Sequence, residues 1–171
     1  MRPSFERKTN IYSMTFSDIE CSGGAERDIF ELQGSTDTRI RLHSVELSNN
    51  TNYVGSSGER LAVEIISGGT STAVGGTVGA PLNFLDRGAT ALVTGTYNST
   101  TVGGVGGETL RYGGNWPVGG ENDFSYEPAS DKRIQTGLNE QLAVRIAENA
   151  VAMGISGTIV WEEVGKVPGE S

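Results

Sequence analysis

Apolar and polar residues alternate one for one in short runs along most of this chain, and that period points to strands. In IYSMTFSD, Tyr12, Met14 and Phe16 share one face and Ser13, Thr15 and Ser17 the other. DIFEL aligns Phe30 with Leu32, and RLAVEIIS aligns Leu61, Val63 and Ile65 against Ala62, Glu64 and Ile66. Near the C-terminus, QLAVRIAEN aligns Leu142, Val144 and Ile146, and GTIVWEEVG aligns Ile159 with Trp161, with NAVAMGIS as their connection. Alternate residues of a pleated strand lie on one side, so these sets predict core faces. TRIRLHSVELS begins with Ile40 and Leu42 in phase, then switches to Val45 and Leu47. A slip of one residue inside a strand predicts a bulge near His43 and Ser44. The predicted core contains Leu42, Leu61, Val63, Ile65, Leu142, Val144, Ile146, Ile159 and Trp161. No helical stripe of three turns competes with this reading; a short helical turn around Leu82 to Leu85 is the one helical expectation.

Eight or nine short strands in 171 residues predict one all-β domain, an antiparallel β-sandwich or jelly roll. A chain of this length buries roughly 70% of its unfolded surface, enough for a core of its own. Glycine, at 25 residues the commonest type, collects in long connections such as SGGTSTAVGGTVGAP and GTYNSTTVGGVGGETLRYGGNWPVGGEND, which read as surface loops, the second as a long loop or loose hairpin serving contacts between copies. The expected organisation is an N-terminal arm over 1–9, a sandwich over 10–165 and a tail over 166–171.

The formal charge of −8 argues against nucleic acid as a partner. Cys21 is the only cysteine, so no intrachain disulfide forms, which fits folding in a reducing cytoplasm. MRPSFERKTN lacks the apolar segment of a secretory signal, and no apolar run reaches the length of a membrane span. Without a signal, the sequons at Asn49 and Asn98 predict no glycan. The glycines at Gly103, Gly104, Gly106 and Gly107 fit neither a dinucleotide fingerprint nor a P-loop, since no lysine and no helix follows them. His43 is the only histidine and sits in a strand, and no nucleophile elbow accompanies it. One histidine and one cysteine are too few for a zinc site, and the oxygens around Glu121 to Asp123 lack the calcium-loop pattern. Glu162 and Glu163 alternate across a strand and cannot act together. No enzyme activity, cofactor, metal or small-molecule substrate is expected.

Contacts with other proteins are the remaining prospect. Arg2, Arg7 and Lys8 concentrate positive charge on an acidic chain, with Phe5 as an apolar anchor between them. Such an arm can pair with an acidic neighbour, or it can be the first strand of the chain's own sheet. In the glycine-rich stretch, Tyr112 and Trp116 can anchor an interface, as these residue types often do. With Tyr126 they can also form a sugar platform, or Trp116 can simply cover an open edge of the sandwich.

Four segments carry a resemblance: Ile40 to Ser48, Leu61 to Gly68, Leu142 to Ile146, and Ser156 to Glu163. An "IRLxxVxLS" strand followed by "LxVxIIxG", then "LxVRI" and "SGTIxxEE", resembles small all-β virion proteins of tailed bacteriophages. These are the jelly-roll cement or decoration proteins of the capsid. The likeness spans about residues 9–164; the N-terminal arm and the glycine-rich middle loops depart from it. It implies a virion protein on the capsid surface that bridges neighbouring subunits of the major capsid protein. It also implies a homo-oligomer, with the trimer favoured. The alternative is a carbohydrate- or host-binding β-sandwich of a tail or fibre.

Overall fold

The structure, a computed structural model, describes residues 10–21, 26–50, 60–69, 74–84, 88–99, 101–103, 107–117, 123–146 and 153–165. The expected arm, with Arg2, Phe5, Arg7 and Lys8, and the expected tail lie outside these residues. The described strands are β1 (Ile11–Cys21), β2 (Arg27–Gln33), β3 (Thr38–Asn49), β4 (Arg60–Ser67), β5 (Thr77–Val78), β6 (Leu82–Asn83), β7 (Thr94–Ser99), β8 (Thr109–Pro117), β9 (Phe124–Tyr126), β10 (Gln141–Ile146) and β11 (Met153–Gly165). A single 3-10 turn, Ser130–Lys132, is the helical element among them.

Two sheets form, in the orders β6-β1-β11-β3-β9 and β5-β7-β2-β10-β4-β8. Every strand pairing is antiparallel. The chain therefore changes sheet at each step from β1 to β4. It returns late, placing β11 between β1 and β3 and β10 between β2 and β4. This is the jelly-roll order within a β-sandwich. Strands β5, β6 and β7 are inserted between β4 and β8 and widen both sheets on one side. At Gly79, between β5 and β6, a Cβ would overlap Met14 Sδ, so any larger residue there would have to displace the Met14 side chain from the core.

All nine residues expected in the core are buried. Phe16 of one sheet meets Phe30 and Tyr97 of the other at ring distances of 4.9 and 5.4 Å, and Tyr12 stacks on Trp161 at 5.9 Å. Aromatic contacts thus run both across the two layers, at Phe16, and within one, at Tyr12 and Trp161, a buried side chain of this size gaining roughly 1.5–3 kcal/mol from burial. The phase slip in β3 is a bulge: Val160 lies opposite Ser44 and Trp161 opposite Leu42, leaving His43 without a partner on β11.

The structure corrects several loop assignments. Leu82 and Asn83 are not helical; they pair with Ser13 and Tyr12. Thr77 and Val78 pair with β7 inside a segment read as loop. The stretch from Gly95 to Asp123 is neither one long loop nor a loose hairpin, because its start belongs to β7, which pairs with β2 and β5, and β8 takes nine of its residues and pairs with all of β4. Strand β11 begins at Met153, inside the expected connection. The pieces at β5, β6 and β8 lack a run of alternating apolar residues, and backbone pairing with an adjacent strand makes them strands; Met153 and Ile155 continue the buried phase of Ile159 and Trp161.

Candidate functional site

The aromatic residues of the glycine-rich stretch close the sandwich on its own far side. Strand β8 is the last of the six-stranded sheet and β9 the last of the five-stranded sheet. Trp116 lies opposite Leu61 and is fully buried. Tyr112 packs its ring 6.3 Å from Phe124 and 4.7 Å from Tyr126, so the two edges meet through aromatic faces. Burial, with Tyr112 adding to it, pushes the Tyr126 phenol above its ordinary value. Gly114 makes the contact possible, since a Cβ there would lie 2.9 Å from the Tyr112 ring and 3.2 Å from Phe124. The expectation that Trp116 anchors a neighbouring copy is corrected: its side chain is consumed by the chain's own core. Tyr112 is half-buried in the same seam. The sugar platform that would use these rings is lost for the same reason.

Gly103 of that stretch is also held from within. Gly103 N donates to Asp28 Oδ2 at 2.8 Å, and Gly103 O accepts from Arg145 Nη2 at 3.1 Å. Arg145 Nε donates to Asp28 Oδ1 at 2.7 Å, and Nη2 reaches Glu108 Oε1 at 3.2 Å. The pair is buried, with side-chain exposures of 7% for Arg145 and 0% for Asp28. Burial opposes the guanidinium charge, but the hydrogen bond and charge of Asp28, then those of Glu108, outweigh it and raise the Arg145 pKa. The chain around Gly103 is therefore tied onto the outer face of the six-stranded sheet by its own domain. A lone arginine inside the apolar run QLAVRI was the visible signal, and Asp28 at the head of DIFEL its partner.

On the outer face of the five-stranded sheet, His43 emerges from its bulge between charged groups. Its Nε2 lies 3.2 Å from Arg133 Nη1 and 3.5 Å from Glu162 Oε2, and Arg41 Nη1 also donates to that oxygen at 3.2 Å. These contacts are with charged side chains, not the hydroxyl or thiol contact that nucleophilic catalysis needs. Glu163 points the other way, as alternation requires. It is 7% exposed and accepts from the backbone of Leu92 and Val93, both at 2.9 Å. Burial raises its pKa, and those two hydrogen bonds only partly offset the rise. No group of three or more metal-ligating side chains occurs among the described residues.

Further along the same face, hydroxyls form rows across the strands. Thr15, Thr158, Glu46 and Ser125 stand in register on β1, β11, β3 and β9. The Thr15 and Thr158 hydroxyls are 3.1 Å apart. They border an open groove of about 460 Å³ whose rim includes the carboxylates of Glu46 and Asp123.

The inserted strands carry a different surface. Six large apolar side chains are exposed among the described residues: Val74, Val78, Leu82, Phe84, Leu92 and Leu110. The first five belong to the insertion between β4 and β8. Val78 is 73% exposed, Leu82 67% and Phe84 61%. Leu82 and Phe84 lie beside Ser13 and Ile11 at the β6 edge. Sequence reasoning missed this surface because Val74 and Val78 sit in a Gly- and Thr-rich segment without period, and Leu82 and Phe84 in PLNFL, which reads as a short helical turn.

Compared with family models, curated proteins and solved structures, the chain matches none of them.

Proposed function

We propose that this chain is a structural virion protein, a cement or decoration protein that, as a homo-oligomer, bridges neighbouring capsid subunits and stabilises the shell. The observation that carries the reading is the gathering of exposed apolar side chains on one insertion. A large apolar surface on a soluble domain marks a contact with another protein. Val78, Leu82, Phe84 and Leu92 each return roughly 1.5–3 kcal/mol when fully covered. Repeated over a lattice, contacts of that size add through effective concentration. The contact surface is thus moved from Tyr112 and Trp116 to the inserted strands, with residues 1–9 still a candidate for a second contact.

The test is binding of purified protein to shells stripped of it, followed by sedimentation and electron microscopy. Leu82→Asp with Phe84→Asp should keep the wild-type circular dichroism and lose attachment. Attachment at wild-type strength would remove this surface from the reading.

The carbohydrate- or host-binding alternative is favoured by one observation, the groove lined by hydroxyls with Glu46 and Asp123 at its rim. Hydroxyls and carboxylates are the groups that hydrogen-bond sugar diols. A glycan array read with Glu46→Gln as control separates the two readings, because the groove and the inserted strands lie on different parts of the surface.

A further inference from the structure

The edge of β3 changes partner at His43. Val45 to Leu47 pair with β9. Beyond the bulge, Leu42 N donates to Ile134 O at 2.9 Å and Thr136 N to Ile40 O at 3.0 Å. Between these two contacts, residues 127–133 leave the sheet through the 3-10 turn and return with Arg133 beside His43. One nitrogen, His43 Nε2, therefore faces a donor and an acceptor together: Arg133 Nη1 at 3.2 Å and Glu162 Oε2 at 3.5 Å. It can serve only one of them. Without a proton it accepts from Arg133; with a proton it donates to Glu162 and opposes Arg133.

We propose that His43 is a two-position latch on the 127–133 segment. In the unprotonated position it holds Arg133 against β3, and in the protonated position it binds Glu162 and lets Arg133 go. The only covalent change is one N–H bond, made with a proton from water. The charged groups facing the ring are Arg41 on its own strand, Glu162 on β11 and Arg133 on the returning segment. Protonation adds a third cation beside Arg133 and Arg41, and Glu162 already accepts from Arg41. Arg133 is the member free to leave, since its Nε is buried with no hydrogen-bond partner and one contact to His43 holds its other arm. Arg41 stays, because Gln135 Oε1 accepts from its Nε and Nη2 at 3.0 and 2.8 Å. Burial first, then the charge of Arg133, holds the imidazole below 6.5 against the opposing pull of Glu162. The latch is therefore closed at neutral pH and opens only on acidification past 6.5. The stability it gives is fully present above the unfolded value and is lost as pH falls through the folded one.

His43 is the only histidine, so its ring nitrogens can be followed by NMR in the unmodified protein. At pH 7.5 the proton should sit on Nδ1. Across the titration, the protection factors of the Lys132 and Leu42 amides should fall by about tenfold, the size of one lost charge-assisted hydrogen bond. Arg133→Gln should raise the His43 pKa and remove most of the fall. His43→Gln should remove the pH dependence of protection entirely. An Nε2–H tautomer at neutral pH, or protection unchanged through the titration of wild type, overturns the latch; both readings need wild type alone, whatever the variants do.

Discussion

The outer faces of the two sheets are built on opposite plans. In the five-stranded sheet, β11 alternates buried and part-exposed residues over most of its length, and its outer side carries Thr158, Val160 and Glu162. In the six-stranded sheet, β10 is buried at all six positions and β2 at five of seven. There the outer side faces the chain's own backbone near Gly103, and the polar residues that alternation sends outward, Asp28 and Arg145, meet each other beneath it. Alternation means the same thing in both sheets, yet a polar residue is solvated in one and paired in the other. What covers a strand decides the environment of its second face.

That contrast predicts very different costs for changing one outward-facing residue. Arg145→Ala leaves Asp28 charged and buried without its partner. The expected loss is about 3–5 kcal/mol in urea unfolding. Replacing both members with Met and Leu should recover most of that loss, and a single variant near wild-type stability would break the contrast.

Glu163 tests the inner side of the well-alternating sheet, where a carboxylate occupies a core-facing position. Its folded pKa is raised, so the stability from its neutral form is fully present below about 4.5 and lost as pH rises through the folded value. Wild type should therefore gain on Glu163→Gln as pH falls from 7 to 4, by less than the Arg145 effect. Thermal unfolding of the pair across that range reads the sign directly; a gap that widens in favour of Gln on acidification contradicts the assignment.

The smallest effect belongs to the solvated face. Thr158→Ala removes a part-exposed hydroxyl whose partner, Thr15, is exposed. The expected change is within about 0.5 kcal/mol. A cost above about 1.5 kcal/mol would mean that the hydroxyl rows act as a network, and would sharpen the contrast into one between two kinds of polar order.

Much of the fold was legible because the alternation in β1, β3, β4, β10 and β11 is set by side chains that must leave water. The nine core residues follow from that rule, and the bulge at His43 from its interruption. The strands read as loops, β5, β6 and β8, are glycine-rich or only two residues long, so little apolar periodicity marks them. Trp116 was misplaced as a surface anchor because sequence marks a residue as large and apolar without saying which apolar surface is nearest.

By itself the sequence determined which residues face the interior, since hydrophobic burial acts locally with the period of the strand. Only the tertiary structure decided the rest. It brought Asp28 to Arg145 across 117 positions and Arg133 to His43 across 90, and it left Val78, Leu82 and Phe84 exposed on the inserted segment. Charge pairing and edge contacts depend on distance in space, and a jelly roll returns its last strands between its first ones, so those distances do not exist until both sheets are assembled.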